Sequence, residues 1–184
     1  MAILKIARMG HPVLRRRAEE VTDLHDPEVQ RLIDDMHETM IDANGAGIAA
    51  PQVYVSRRVV MFRVPAERTT EDPEDQPMGL TVLINPVLEP IGEEKHLGWE
   101  GCLSVPGLRG EVPRYSRLRY AGLAPDGSRI EREATGFHAT VVQHECDHLD
   151  GILYPQRMTD LTKLIFTSEW DAFTGGSIPE PPDD

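Results

Sequence analysis

Two histidines four residues apart, with a glutamate directly after the first, form the segment of this sequence best suited to chemistry. The segment is Gln143–His148. On a helix, His144 and His148 project from one face about one turn apart, close enough to share a small cation. The carboxylate of Glu145 would reach a water on that cation without being a ligand itself. The alternative is a pair of core histidines on an amphipathic helix, but the adjoining glutamate favours a metal site.

Apolar spacing indicates that this segment is helical. Phe137, Val141, His144 and His148 fall on one stripe at helical spacing, and Gly151 is a plausible helix end. The stripe predicts that the histidines face inward. A catalytic zinc site typically has three protein ligands, so one more ligand must come from elsewhere in the chain.

Two residues compete for the position of third ligand. Glu169 lies about twenty residues after His148, where one class of zinc peptidases supplies a glutamate. Cys102, within Trp99–Val105, offers a thiolate that suits iron, zinc or cobalt. The class with a histidine soon after the second one is excluded, because no histidine follows His148. Cys146 lies on a different helical face from the two histidines, and we interpret it as a packing residue.

Length, charge and cysteine content limit the class of protein. A chain of 184 residues that is 40% hydrophobic predicts one domain with a real core. A net charge of −12 argues against nucleic acid or an anionic membrane as the main partner. No apolar run approaches the roughly 18 residues of a membrane span. Two cysteines and no signal peptide or Arg-rich presequence predict a reducing, cytoplasmic location.

The elements that must position the ligands are short and mixed. They predict an α+β fold in which short, mostly antiparallel strands pack around a central metal-binding helix, with an N-terminal and a C-terminal helix. The N-terminal helix starts at Asp26-Pro27 and ends at Asn44-Gly45, and the C-terminal helix spans about 160–173. Strands are predicted at 57–64, 80–84, 87–88, 97–105, 115–123 and 129–133, the last two joined by a hairpin turn. We expect a mobile surface loop at 65–79, one domain over 1–174, and a disordered, acidic, Pro-rich tail at 175–184.

Three segments taken together resemble the motifs of one enzyme family, the peptide deformylases. They are Gly45–Gln52, Glu100–Ser104 and Gln143–His148, in the order found in that family. The resemblance extends from about Ile3 to Trp170. It implies a metal-dependent hydrolase that removes the formyl group from the N-terminal formylmethionine of newly made polypeptides and releases formate. It also implies action on nascent chains at the ribosome, although the acidic tail differs from the basic C-terminal helix with which some members dock there.

The same resemblance implies roles for individual residues. Cys102, His144 and His148 would hold one divalent metal ion, usually Fe²⁺ in this family, with Zn²⁺, Ni²⁺ or Co²⁺ as substitutes. Glu145 would act as general base and then as general acid, while the side chain of Gln52 and the backbone N–H of Leu103 would bind the oxyanion. The remaining implied residues surround the substrate: Gly45, Gly47 and Ile48 through their backbone, Glu100 paired with Arg114, Arg109, and Phe137 and Val141 in the wall of the methionine pocket.

Two other functions stay open at this point. One is a zinc endopeptidase in which Glu169 takes the place of Cys102 as third ligand. The other is an inactive relative that is kept for binding. Composition and spacing alone indicate a hydrolytic metal site, and the resemblance is what supplies the substrate.

Overall fold

The computed structural model describes residues 2–175 as a mixture of short helices and antiparallel strands. In chain order the elements are α1 (Pro27–Asp42), β1 (Gly47–Ala49), β2 (Val59–Val64), β3 (Met78–Pro90), β4 (Lys95–Glu100), β5 (Leu108–Tyr115), β6 (Arg117–Leu123), β7 (Arg129–Thr135), α2 (Gly136–Leu149), β8 (Ile165–Phe166) and α3 (Trp170–Thr174). Short 3₁₀ turns join several of them.

The strands form two sheets, and α2 packs against both. One sheet has the order β1-β2-β3-β6-β7 and the other the order β4-β5-β8, with antiparallel pairing throughout. Helix α2 contacts β1, β2 and β7 of the first sheet and β5 of the second. Its residues from position 138 onward are almost all buried. The predicted fold class is therefore confirmed, including the central helix and the helices on either side of it in the sequence.

Local signals determine α1. The Asp26 carboxylate accepts the N–H of Glu28 at 2.9 Å, and Pro27 occupies the first turn. Its buried positions recur at helical spacing and pack beneath β1 and β2: Val29, Leu32, Ile33, Met36 and Met40. Asn44 adopts a left-handed conformation, with φ of 56°, just past the helix end. Both predicted ends of this helix are confirmed to within two residues.

Strand β3 replaces the two separate strands predicted around Asn85-Pro86. Its pairing with β6 shifts register between Ile84 and Val87, and Asn85 has φ of 52°. The Asn85 amide exchanges two 2.9 Å hydrogen bonds with the backbone of Val21. The dipeptide that indicated a strand end is thus a bulge that a side-chain amide stabilises.

The C-terminal helix is present but is much shorter than predicted. Leu161–Lys163 form a 3₁₀ turn, and β8 pairs with β5, with Phe166 opposite Leu108. Leu161 and Phe166 are 67% and 62% exposed, so the apolar spacing that indicated a long helix is not a buried stripe. Among residues 160–173, all of which the structure describes, only Trp170 is deeply buried, and its ring packs edge-on against that of Trp99.

The segment 65–79 is a mostly exposed surface loop, as predicted, and Asp75 anchors it to the central helix. The carboxylate of Asp75 is buried and accepts the N–H groups of Thr70, Phe137 and His138 at 2.7, 2.8 and 3.2 Å. Asp75 therefore caps the N-terminus of α2 from 62 and 63 residues away in the sequence, and its negative charge lies at the favourable end of the helix dipole.

Two remaining expectations concern the tail and the membrane. Beyond Gly175, the predicted disordered tail lies outside the described residues. Within the described part of the chain, no helix combines the length and the apolar character that crossing a membrane requires.

Candidate active site

Three ligand-type side chains from distant parts of the chain converge beside α2. The helix presents His144 and His148 with their ring centroids 5.0 Å apart, and Cys102 comes from the turn after β4. One potential ligand atom from each residue lies within 4.8 Å of the other two, and all three residues are buried. The Cys102 Sγ atom is 3.4 Å from Nε2 of His148. The structure therefore brings together the three residues predicted as metal ligands.

The state of the two imidazoles fits a metal ion. Nδ1 of His144 lies 2.7 Å from Oε2 of Glu100. Because a carboxylate only accepts, Nδ1 carries a hydrogen and Nε2 is the atom left to bind an ion. Burial lowers the pKa of His144, but Cys102 and Glu100 outweigh it and raise that pKa well above its ordinary value, so a metal ion would displace a proton from Nε2. Burial, together with His144 and Arg114, lowers the pKa of His148 well below its ordinary value and so favours the neutral, ligating form. One sulfur and two nitrogen donors suit a divalent transition metal with a position left for water or substrate.

Glu100 is held by a buried ion pair. The guanidinium of Arg114 donates to Glu100 from Nε at 2.7 Å and from Nη2 at 2.9 Å. Burial opposes ionisation of this carboxyl, but Arg114 and His144 outweigh it and lower the pKa of Glu100 to about 2. The predicted pairing of Glu100 with Arg114 is present, and both carboxylate oxygens are engaged in holding His144 and Arg114.

Gln52 is oriented by its own turn. It lies in the 3₁₀ turn Ala50–Val53 after β1, where its Oε1 accepts the N–H of Ala49 at 2.8 Å. The amide nitrogen is thereby directed toward the metal-ligand loop, 3.2 Å from Oγ of Ser104 and 3.6 Å from Sγ of Cys102. The geometry thus fixes an amide donor beside the Cys102 sulfur.

A cavity of about 290 Å³ opens beside the ligands. Glu145 faces it from α2, next to His144, and the turn that carries Leu103 forms another part of its wall. The lining is largely apolar, with a few polar groups, and comprises Ala46, Gly47, Gln52, Glu67, Arg68, Thr70, Gly98, Trp99, Glu100, Gly101, Cys102, Leu103, Phe137, Thr140, Val141, His144 and Glu145. This composition is typical of a small-ligand or peptide side-chain pocket.

Not every residue predicted around the substrate reaches this cavity. Gly47, Glu100, Phe137 and Val141 line it, as do all the predicted catalytic residues. Gly45 instead packs against the Leu103 side chain, and Ile48 is fully buried within β1. Arg109 is 2% exposed and lines a neighbouring cavity of about 290 Å³, which shares Gly101, Cys102 and Leu103 with the main one.

Sequence reasoning missed the contribution of the segment 65–79. Glu67, Arg68 and Thr70 line the cavity, and the Arg68 guanidinium lies 4.4 Å from the centroid of the Phe137 ring. No motif marks these residues, because their position depends on Asp75 reaching across to α2. The other unpredicted lining residues, such as Ala46 and Thr140, flank motif residues that were recognised.

The rival third ligand does not take part in the site. Glu169 is exposed in a 3₁₀ turn, where its carboxylate accepts from Oγ of Ser168 at 3.3 Å. It is not among the residues that converge with the histidines. Cys146 is buried, and burial raises the pKa of its thiol, which keeps it protonated and unsuited to bind a metal. The prediction that Cys146 is a packing residue fits this environment.

The site defines a class of protein. A thiolate and two imidazoles that fit one metal ion, a neighbouring glutamate, and an amide donor at an apolar cavity are the parts of a metal-dependent hydrolase. Here they are carried by an α+β fold with one central helix.

Comparison with known proteins identifies the family. The family model described as polypeptide deformylase matches residues 3–164. Peptide deformylase 1 of Bordetella pertussis is 56% identical over 162 residues, which cover 88% of this chain and 91% of the relative. Peptide deformylase 1 of Nitrosomonas europaea is 52% identical over 178 residues, covering 97% and 99%. A Met-Ala-Ser-bound crystal structure of class I type b peptide deformylase from Acinetobacter baumannii has a TM-score of 0.77 at 39% identity, covering 85% of this chain and 100% of that one. The chain belongs to the peptide deformylase family.

Family membership determines the reaction. The protein is an amidohydrolase that removes the formyl group from N-formylmethionyl peptides and releases formate, and the family uses a divalent metal ion. The zinc endopeptidase alternative is wrong, since neither the family nor the position of Glu169 supports it. The alternative of an inactive relative also fails, because homologues at 50–56% identity are named as the enzyme.

Proposed function

We propose that Cys102, His144 and His148 are the metal ligands of this deformylase and that Fe²⁺ is the native ion, with Zn²⁺, Ni²⁺ or Co²⁺ able to replace it. The bound ion would supply a Lewis acid that polarises the formyl group and lowers the pKa of water. The observation that carries the proposal is the convergence of one sulfur and two imidazole nitrogens within 4.8 Å. A soft thiolate among the donors suits iron, and metal analysis of protein purified without oxygen tests the choice of ion.

Glu145 is the general base and then the general acid. Its carboxylate takes a proton from the attacking water and delivers it to the leaving amine. The placement of Glu145 supports this role, because it follows His144 on α2, lines the cavity and is only 4% exposed. The absence of a side chain at Gly47 leaves the space that Glu145 occupies.

Gln52 and Leu103 stabilise the negative charge that develops on the formyl oxygen. The Gln52 amide donates from Nε2, which its bond to the Ala49 N–H turns toward the metal-ligand loop. The backbone N–H of Leu103 adds a second donor from the residue after Cys102. Removing one donor of this kind typically costs about 10²–10³ in rate.

The substrate peptide lies along β1. This strand is at the edge of its sheet, so one row of its backbone groups is turned away from β2, and Gly47 lines the cavity. Gly45 and Ile48 support this edge through their backbones, while Phe137 and Val141 form the wall that receives the methionine side chain. The Met-Ala-Ser peptide bound to the Acinetobacter baumannii enzyme is the kind of ligand that such an edge and pocket would accept.

The substrates in the cell are nascent chains at the ribosome, and the enzyme works in the cytoplasm, with residues 1–174 acting as a single domain. Formylmethionine at the start of newly made polypeptides supports the first part, and the packing of α2 against both sheets supports the last. With a net charge of −12, docking must use a local surface rather than a uniformly basic one. Co-sedimentation with ribosomes at low and high salt measures whether docking occurs.

The decisive experiment exchanges each cysteine in turn. We expect Cys102→Ser, loaded anaerobically with Fe²⁺, to lose its metal ion and to release no formate from formyl-Met-Ala-Ser. Cys146→Ser is the matched control, since Cys146 is equally buried on the same helix as the histidines but points away from them, and it should keep both metal and activity. A Cys102→Ser protein with a full equivalent of tightly bound metal would refute the proposed ligand set.

A further inference from the structure

A row of hydrogen-bonded groups of alternating charge runs from the ligand His144 to the protein surface. His144 donates to Glu100, which also accepts two hydrogen bonds from Arg114. The remaining arm of Arg114, Nη1, donates to Oδ2 of Asp147 at 2.6 Å. Asp147 in turn accepts from Arg157, from Nη2 at 2.7 Å and from Nε at 3.1 Å. Arg157 is the outer end of the row.

The row passes through the packing between α2 and the second sheet. Its inner end, His144 and Glu100, lines the substrate cavity. Its outer end, Arg114, Asp147 and Arg157, lines a different cavity on the other side of α2. The burial falls along the way, with the Arg114 side chain 4%, the Asp147 side chain 12% and the Arg157 side chain 45% exposed. Solvent therefore reaches Arg157, whereas His144 and Glu100 at the other end of the row are buried.

The turn that carries Arg157 also contacts the ligand by a second route. The 3₁₀ turn Tyr154–Gln156 follows α2, and the N–H of Arg157 donates to the carbonyl of Tyr154 at 2.9 Å. The buried Tyr154 ring stacks on the His144 ring, with 6.3 Å between centroids and 26° between planes. This short turn therefore contacts the candidate metal site at two points: Arg157 binds Asp147, and the ring of Tyr154 packs on His144.

Charge balance explains why the outermost arginine affects the innermost ligand. Glu100 and Asp147 are two negative groups and Arg114 and Arg157 are two positive ones, so the cluster is neutral. Without Arg157, a net negative charge stays in a poorly solvated place and Asp147 keeps only Arg114 as a partner. The guanidinium of Arg114 would move toward Asp147 and weaken its two hydrogen bonds to Glu100. The ring of His144 would then lose its fixed orientation.

We propose that Arg157 is a positioning residue for the metal centre: through Asp147 and Arg114 it holds Glu100 against His144. The inference rests on the proposed metal site and extends it to a residue that touches neither metal nor substrate. Partners in the outer shell of metal ligands typically change metal affinity by about 10–100-fold when they are mutated. Because Arg157 acts from further out, its effect belongs at the lower end of that range.

The test compares three variants of the full-length protein loaded with Co²⁺. Arg157→Ala removes the charge, Arg157→Lys keeps it, and Arg117→Ala is the matched control. Arg117 is 41% exposed and pairs with the exposed Glu133 and Glu74, and none of these three residues lines the substrate cavity. The measurements are the Kd for Co²⁺ by chelator competition, the visible absorption of the thiolate–cobalt site, and the Tm of the metal-free protein. We expect Arg157→Ala to raise the Kd about tenfold and to alter the spectrum, Arg157→Lys to recover most of that loss, and Arg117→Ala to match the wild type.

Two results would overturn the inference. One is an Arg157→Ala protein with the wild-type Kd and spectrum but a lower Tm, because the arginine would then serve stability alone. The other is an Arg157→Lys protein as impaired as Arg157→Ala, because charge balance would then not be the cause. Failure of the metal site itself gives a different pattern: wild-type protein would bind no Co²⁺, or Cys102→Ser would bind it as tightly as the wild type.

Discussion

Replacing Gly47 by alanine tests the role of Glu145 without touching the glutamate. A Cβ atom at position 47 would lie 2.7 Å from both Cγ and Cδ of Glu145. To reach the 3.4 Å of ordinary van der Waals contact, the stem of the glutamate must move by roughly 0.7 Å. Rotation of the far end of Glu145 alone does not relieve a contact at Cγ, so the side chain must shift as a whole within the cavity that it lines.

The expected effect is on the chemical step. A misplacement of about 1 Å at a reacting group can cost about 10²-fold in rate, and general base catalysis contributes about 10²–10⁴-fold. We therefore expect Gly47→Ala to lower kcat by about 10- to 100-fold, which corresponds to roughly 1.4–2.7 kcal/mol in activation free energy. Metal content should stay near the wild-type value, because the three atoms nearest a Cβ at position 47 all belong to Glu145 and the φ of Gly47 is outside the left-handed region.

The assay is formate release from formyl-Met-Ala-Ser, with kcat and KM determined separately and metal measured on the same sample. Gly98→Ala is the matched control, since Gly98 lines the same cavity but a Cβ there would meet His96 no closer than 3.7 Å. If Gly47→Ala keeps kcat within about threefold of the wild type while Glu145→Gln is inactive, then the position of Glu145 does not depend on Gly47 and the reasoning is refuted. Loss of metal by Gly47→Ala would equally contradict it.

Three further predictions concern the surroundings of the site. Glu100→Gln should weaken metal binding by about 10–100-fold, because His144 loses its carboxylate partner, and should destabilise the fold by about 3 kcal/mol, because the buried Arg114 is left half paired. Chelator competition measures the first effect and urea unfolding the second. An unchanged metal Kd would contradict the prediction. Asp75→Ala should lower the free energy of unfolding by about 1–2 kcal/mol, because α2 loses its cap. It should also raise KM with kcat preserved, because the segment 65–79 that lines the cavity loses its anchor. An unaltered KM would show that this segment does not contact substrate. Burial lowers the pKa of His138 to about 4, so the unfolded state binds the proton more tightly than the folded state. The free energy of unfolding of the metal-free protein should therefore fall by up to about 3 kcal/mol as the pH falls from about 6.5 to 4. His138→Gln should flatten that loss in urea titrations at several pH values, whereas the same change at the exposed His25 should not.

The fold was predictable where local signals agree with tertiary packing. The capped and amphipathic α1 and the hairpin of β6 and β7 were both identified from the sequence, because their signals lie within a few residues of one another. Strand β5 was not predicted, since Gly110 and Pro113 weaken a strand pattern that the pairing with β4 and β8 overrides. The prediction of a long C-terminal helix was wrong for a related reason, because the pairing of β8 with β5 satisfies backbone hydrogen-bonding groups in that segment.

The residues of the candidate site likewise divide into those that the sequence could place and those that it could not. The pair His144 and His148 and the adjacent Glu145 could be placed from spacing alone, because one helix determines their mutual geometry. The choice between Cys102 and Glu169 could not be made from spacing, since both lie on other elements. Resemblance of three motifs to a known family favoured Cys102 at the level of the sequence, and the coordinates place its sulfur with the imidazoles.

By itself, the sequence determined the chemistry that the central helix can offer: two imidazoles and a carboxylate on neighbouring positions of one inward-facing turn. Only the tertiary structure decided what surrounds that turn, namely the Asp75 anchor that brings Arg68 over Phe137, the burial of Arg109 outside the cavity, and the row that ends at Arg157. The physical reason is the range of the interactions. Helical spacing follows from backbone geometry within four residues, whereas contacts across 10 to 62 positions form only when two sheets close around the helix and bury their charges together.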